Sequence, residues 1–117
     1  MKKRIVIFGC GFHGRAVFRK CILLKNKYEI ICWVDNDIKK NNKSLFGKKI
    51  FNPEYLKKID YDLIILSGRN IKYQLKQIQK ITKNSSIALW GNKKIKPSNS
   101  NIKKRDDKLK IILKDLL

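Results

Sequence analysis

The segment of this chain best equipped for chemistry is Gly9-Cys10-Gly11-Phe12-His13-Gly14, which follows the apolar run Ile5-Val6-Ile7-Phe8 and opens an amphipathic stretch. A short strand feeding a G-x-G-x-x-G turn and then a helix directs backbone N–H groups at a phosphate. The first glycine permits the tight turn, the second lets the backbone approach a pyrophosphate, and the third lets the helix pack against the strand. A lone turn of this kind is weak, but a second element supports it. The apolar run through Ile30, Ile31, Cys32, Trp33 and Val34 ends in Asp35. A carboxylate about 20 residues beyond such a turn is placed to accept from ribose hydroxyls.

The negative charge of Asp35 would repel a 2′-phosphate, which disfavours NADP. Three loops are expected to meet beyond the strand ends: Gly9 to Gly14, Asp35-Asn36-Asp37, and Ser67-Gly68-Arg69-Asn70. From them we take Gly9, Gly11, Phe12, His13, Gly14, Arg15, Asp35, Asn36, Asp37, Ser67 and Arg69 as candidate cofactor-binding residues. Arg15 falls in the first helical turn, where it opposes the helix dipole, so a phosphate partner would make local sense of it. His13 could reach a ligand from within the turn, although such a residue more often points outward. Ser67 and Arg69 would line the far side, or simply serve turn chemistry with Asn70.

The remaining equipment is sparse. None of Tyr28, Tyr55, Tyr61 and Tyr73 stands four residues before a lysine, so the Tyr-x-x-x-Lys pair of short-chain dehydrogenases is absent. There is no G-x-x-x-x-G-K-[ST] loop and no Ser/His/Asp set. One histidine and nine acidic residues leave little for acid–base work, and we assign no catalytic residue. Cys10, Cys21 and Cys32 form no C-x-x-C pair and suit reduced, apolar side chains. Cys10 with His13 does not complete a metal site, and none is expected.

These residues must be positioned by elements, and the chain supplies them. Strands are expected at 3–8, 28–34, 48–51, 63–66 and 86–90. Helices are expected at 12–24, at a short segment begun by Asn52-Pro53, and at 71–82, where Ile71, Leu75 and Ile78 share one face. Residues 35–46 read as a polar loop. Strand and helix alternate, so the fold class is α/β: a Rossmann-like, doubly wound parallel sheet of about five strands in the order 3-2-1-4-5. Residues 1–91 form this nucleotide-binding domain, 92–103 a basic linker, and 104–117 an amphipathic C-terminal helix carrying Leu109, Ile112, Leu113 and Leu116.

The 117 residues carry 29 Lys+Arg against 9 Asp+Glu, a formal charge of +20, and 43% hydrophobic residues. The basic pairs are spread over loops and element ends with no interleaved aromatics, which reads as solvated charge and argues against a nucleic-acid surface. No apolar run approaches the ~20 residues of a membrane span, and the run after Arg4 is too short for a signal peptide. The expected compartment is the cytoplasm.

Four segments together resemble a known family: Gly9 to Val17, Trp33-Val34-Asp35-Asn36-Asp37, Gly47 to Glu54, and Tyr61 to Ile65. They are similar to the N-terminal Rossmann-like domain of bacterial sugar acyltransferases that modify UDP-amino-sugars in capsule and lipopolysaccharide synthesis. The resemblance implies that Gly9, Gly11, Gly14, Asp35, Asn36 and Asp37 face a nucleotide sugar. In those relatives a left-handed β-helix supplies catalysis; no hexapeptide repeat follows Trp90 here, so acetyl transfer by this chain alone is unsupported. The expected function is therefore a nucleotide- or nucleotide-sugar-binding module of surface-polysaccharide synthesis, with NAD or a UDP-sugar as ligand. A transferase partner, or a second copy held through the C-terminal helix, would complete it. Alternatives are an NAD-dependent or sugar-modifying enzyme completed by a partner, an NAD-sensing regulatory domain, and an interaction protein with a vestigial turn.

Overall fold

The computed structural model describes residues 2–67, 70–81 and 86–90. Arg69, the linker expected at 92–103 and the helix expected at 104–117 lie outside the described residues.

The chain runs through β1 (Lys3–Phe8), α1 (Phe12–Leu23), β2 (Tyr28–Val34), β3 (Ser44–Leu45), β4 (Lys48–Phe51), β5 (Leu63–Leu66), α2 (Ile71–Ile81) and β6 (Ser86–Leu89). The sheet order is β3-β4-β2-β1-β5-β6, with every pair parallel except β3 and β4. Ile5 to Phe8 and Leu63 to Leu66 are buried without interruption. Such unbroken burial is what central parallel strands need when both faces are covered. Right-handed crossovers that step in opposite directions along the sheet, β1 to β2 through α1 and β5 to β6 through α2, put the two helices on opposite faces. Val17, Phe18 and Cys21 press α1 onto its face, with the Phe18 ring stacked on Trp33 at 5.2 Å. Ile71, Gln74, Leu75 and Ile78 are the buried side chains of α2.

The five expected parallel strands keep their expected order, but the sheet holds six strands, and residues 35–46 are not simply a loop. They form a 3-10 turn at Ile38–Lys40 and the short antiparallel strand β3. The hairpin between β3 and β4 turns on Phe46 (φ 51°) and Gly47 (φ 76°). Two successive positive φ values define the type I′ turn, usually built from Asn-Gly or Asp-Gly. Phenylalanine pays a steric penalty there. The ring offsets it by packing on Phe18 at 5.1 Å, while the Trp33 indole N–H donates to the Leu45 carbonyl at 2.9 Å. The segment after Asn52 is likewise a 3-10 helix, Pro53–Lys57, capped by the Asn52 side chain as its sequence suggested.

Register decides where the loops converge. Phe8 stands opposite Val34 on one side and Leu66 on the other, so β1, β2 and β5 end level. The turns that follow them must share one end of the sheet, at the point where the strand order reverses. No helix among the described residues is long and apolar enough to cross a membrane.

Candidate functional site

At that end the glycine turn closes on itself. Gly9 has φ +102°, and a Cβ added there would lie 3.0 Å from the carbonyl oxygen and the Oγ of Ser67. Its N–H donates to the Val34 carbonyl at 2.8 Å, so the turn begins tied to β2. A Cβ on Gly14 would sit 1.7 Å from the Gly9 carbonyl oxygen, which makes the close approach of helix and strand possible only for glycine. Gly11 differs from both. It caps α1 in extended backbone, φ −81° and ψ −160°, and a Cβ there would meet nothing within 4 Å. Neither a positive φ nor a close neighbour calls for a glycine here; its one structural role is as an N-cap, which Ser, Thr, Asp or Asn would fill as well.

No side chain caps the start of α1, and its first turn contains no acid. The positive end of the helix therefore opens onto a cleft of ≈ 480 Å³. Gly9, Gly11, Phe12, His13, Gly14, Asp35 and Ser67 line it, together with Lys40, Asn70 and Gln74. A larger hollow of ≈ 610 Å³ lies at the other end of the strands, between Tyr28, Phe18 and Phe46. It has an apolar floor rimmed by Lys2, Arg19, Lys25, Glu29 and Lys48, and none of the converging turns reaches it.

Asp35 is more heavily engaged than its sequence position suggests. Its Oδ2 accepts from the Cys10 N–H at 2.9 Å, its Oδ1 accepts from the Asp37 N–H at 2.8 Å, and Lys40 Nζ stands 3.8 Å from Oδ2. The carboxylate thus braces the glycine turn, and its other lone pairs leave capacity for a ligand hydroxyl. Ser67 is buried and its Oγ donates to the Phe8 carbonyl at 2.7 Å, clamping β5 to the end of β1. His13 packs edge-on against Phe12, which is 75% exposed.

Three candidates do not line the cleft. The Arg15 Nε donates back to the Gly11 carbonyl at 3.3 Å. Asp37 caps the 3-10 turn by accepting from the Lys39 N–H at 3.0 Å. Asn36 forms a reciprocal amide pair with Gln77 of α2, at 3.0 and 2.8 Å. Lys40 and Gln74 were missed from the sequence. Lys40 was hidden among many lysines. Gln74 carried a legible signal, a polar residue one helical turn from Ile71 and Ile78 on the buried face of α2.

The thiols are chemically quiet. Burial, reinforced by the Asp35 charge, pushes Cys10 up to about 12, and burial alone pushes Cys21 to about 12 and Cys32 to about 11. None offers a thiolate at neutral pH. Among the described residues no group of three or more His, Cys, Asp or Glu could hold a metal. One expectation follows from linkage. Unfolded thiols titrate near 9.0, below the folded values, so their contribution is intact below pH 9 and is lost as pH climbs towards 11 and 12. Denaturant midpoints at pH 8 and pH 10 should show wild type losing more stability between them than Cys21→Ala does. Parallel losses would refute this.

A family model described as C2185-like, N-terminal, matches residues 1–88. No curated protein matches the sequence. Among solved structures, the UDP-D-quinovosamine 4-dehydrogenase from Vibrio fischeri aligns with a TM-score of 0.64 at 20% identity, over 80% of this chain and 81% of that one. RSP, a Rex-family repressor, aligns with a TM-score of 0.67 at 14% identity, over 97% of this chain and 63% of that one. The same repressor in complex with beta-NAD+ and operator DNA gives 0.61 at 14% identity, over 97% of this chain and 58% of that one. This chain spans less than two thirds of the repressor's length. At such identities the likeness establishes a shared Rossmann-like α/β fold.

Proposed function

The chain belongs to the C2185-like N-terminal family, and from that premise we propose that it is a binding module for a pyrophosphate-bridged nucleotide, NAD or a nucleotide sugar. Gly11 is the observation that carries this reading. A glycine with open space around its missing side chain, at the uncapped start of a helix, suits a phosphate brought against the backbone. Residues Gly11 and Phe12 would hold the diphosphate, and Asp35 would accept from the adjacent ribose. The cofactor would supply hydride chemistry where a reaction occurs; this chain's residues bind and orient. The cleft contains one imidazole, His13, and no thiolate, so we assign it no complete catalytic set.

The cellular role we propose is surface-polysaccharide synthesis in bacteria, alongside a transferase partner. The resemblance to sugar-acyltransferase domains supports it, as does a shared fold with a structure named for UDP-D-quinovosamine. That structure also favours a second reading. It is a dehydrogenase by name and is covered over 81% of its length, which supports an NAD-dependent sugar oxidation completed by a second chain.

Thermal melting with NAD+, NADH, ADP-ribose and UDP-sugars tests the module. A ligand at 100 times its Kd adds about 2.7 kcal/mol of stability and raises the Tm. No shift with any of them at millimolar concentration would overturn the proposal. Appearance of reduced-nicotinamide absorbance when NAD+ and a UDP-sugar are supplied together would select the enzyme reading.

A further inference from the structure

Gln74 lies on the buried face of α2, 8% exposed, and its Oε1 is the buried side-chain oxygen without a hydrogen-bond partner among the described residues. The residue lines the cleft with Gly9 and Ser67, and its Nε2 is the amide atom nearer Gly9, 3.7 Å from where a Cβ on that glycine would lie. Burying an unsatisfied carbonyl is costly, and such groups persist where they have work to do. An amide oxygen is an acceptor only, so it cannot pair with a phosphate oxygen, which is an acceptor too. The group that satisfies it must bring an O–H or N–H.

The sheet order arranges three kinds of group in a row. Asp35 follows β2, the glycine turn follows β1, and Gln74 belongs to the helix after β5. The cleft therefore presents acceptor, backbone donors, acceptor. We infer that Gln74 is a specificity-determining residue that accepts from a hydroxyl of a second sugar attached beyond the diphosphate. The preferred ligands are then nucleoside diphosphates carrying a further sugar, and not plain nucleoside diphosphates or triphosphates. This rests on the nucleotide reading above and adds to it the requirement for hydroxyls on both sides of the diphosphate.

Calorimetric titration of two matched pairs tests this: ADP against ADP-ribose, and UDP against UDP-glucose. Wild type should bind the longer member of at least one pair about tenfold more tightly. Gln74→Met should bring that ratio close to one while leaving the affinity for the shorter member unchanged. It should also raise the Tm of the ligand-free protein by about 4 °C, because an orphaned acceptor is removed. A merely structural glutamine would instead lower it. Gln79→Met, on the same helix but outside the cleft lining, should leave the ratio as in wild type. If ADP or UDP binds wild type but the added sugar gains nothing, the role of Gln74 is overturned and the nucleotide reading stands. If no member of either pair binds, the nucleotide reading falls and this inference with it. A ratio unchanged in Gln74→Met, or a lowered Tm, also overturns it.

Discussion

Gly14→Ala is expected to destabilise the domain by more than about 3 kcal/mol, enough to lower the Tm by more than about 12 °C. The added methyl would lie 1.7 Å from the Gly9 carbonyl oxygen, 2.8 Å from the Gly9 carbonyl carbon and 3.1 Å from Ser67 Oγ. Two of those atoms are backbone and cannot rotate away. Gly9 is itself pinned by its N–H bond to Val34 and by a φ of +102°. Relief would require α1 to move off the sheet, unstacking Phe18 from Trp33. Circular-dichroism melting reads the result directly. A variant that melts like wild type would show that the helix start is looser than this geometry requires.

Gly11→Val should do the reverse, leaving the fold intact and removing the ligand. Its backbone, at φ −81° and ψ −160°, is extended and open to a β-branched residue, and no atom lies where its Cβ would go. The ligand-free stability should fall by no more than about 1 kcal/mol, the cost of placing a poor capping residue at the start of α1. The isopropyl group would then occupy the approach to the α1 amides, and affinity for a diphosphate ligand should fall by more than about 100-fold, since several hydrogen bonds are lost together. Calorimetry beside thermal melting separates the two effects. Retained affinity in a stable Gly11→Val protein would mean the ligand does not use these amides.

The two glycines illustrate what sequence can and cannot say. Their spacing announced the turn, because a strand, a tight turn and a packed helix leave few other residue choices. The central strands were legible for a similar reason: runs such as Leu63 to Leu66 are apolar because both faces are covered. The β3–β4 hairpin was not legible. Phe46-Gly47 lacks the usual turn residues, and what stabilises Phe46 at positive φ is a ring on α1, distant in sequence. The site was legible to the extent that it depends on backbone shape. Which of its polar groups were already committed was decided by tertiary contacts. Asp37 proved to be a cap, and Asp35 a brace that accepts from the Cys10 and Asp37 N–H groups. Gln74 required knowing that α2 lies beside the glycine turn.

The reciprocal pair of Asn36 and Gln77 spans from the loop after β2 to the helix after β5. Both partners are uncharged carboxamides, with nothing to titrate and little for dissolved ions to screen. A clasp of this composition holds with the same grip in acid, base or brine. Sensitivity of ligand capture to buffer conditions would then originate in the lysines and in the ligand's own anionic groups, while the span from this loop to α2 stays constant.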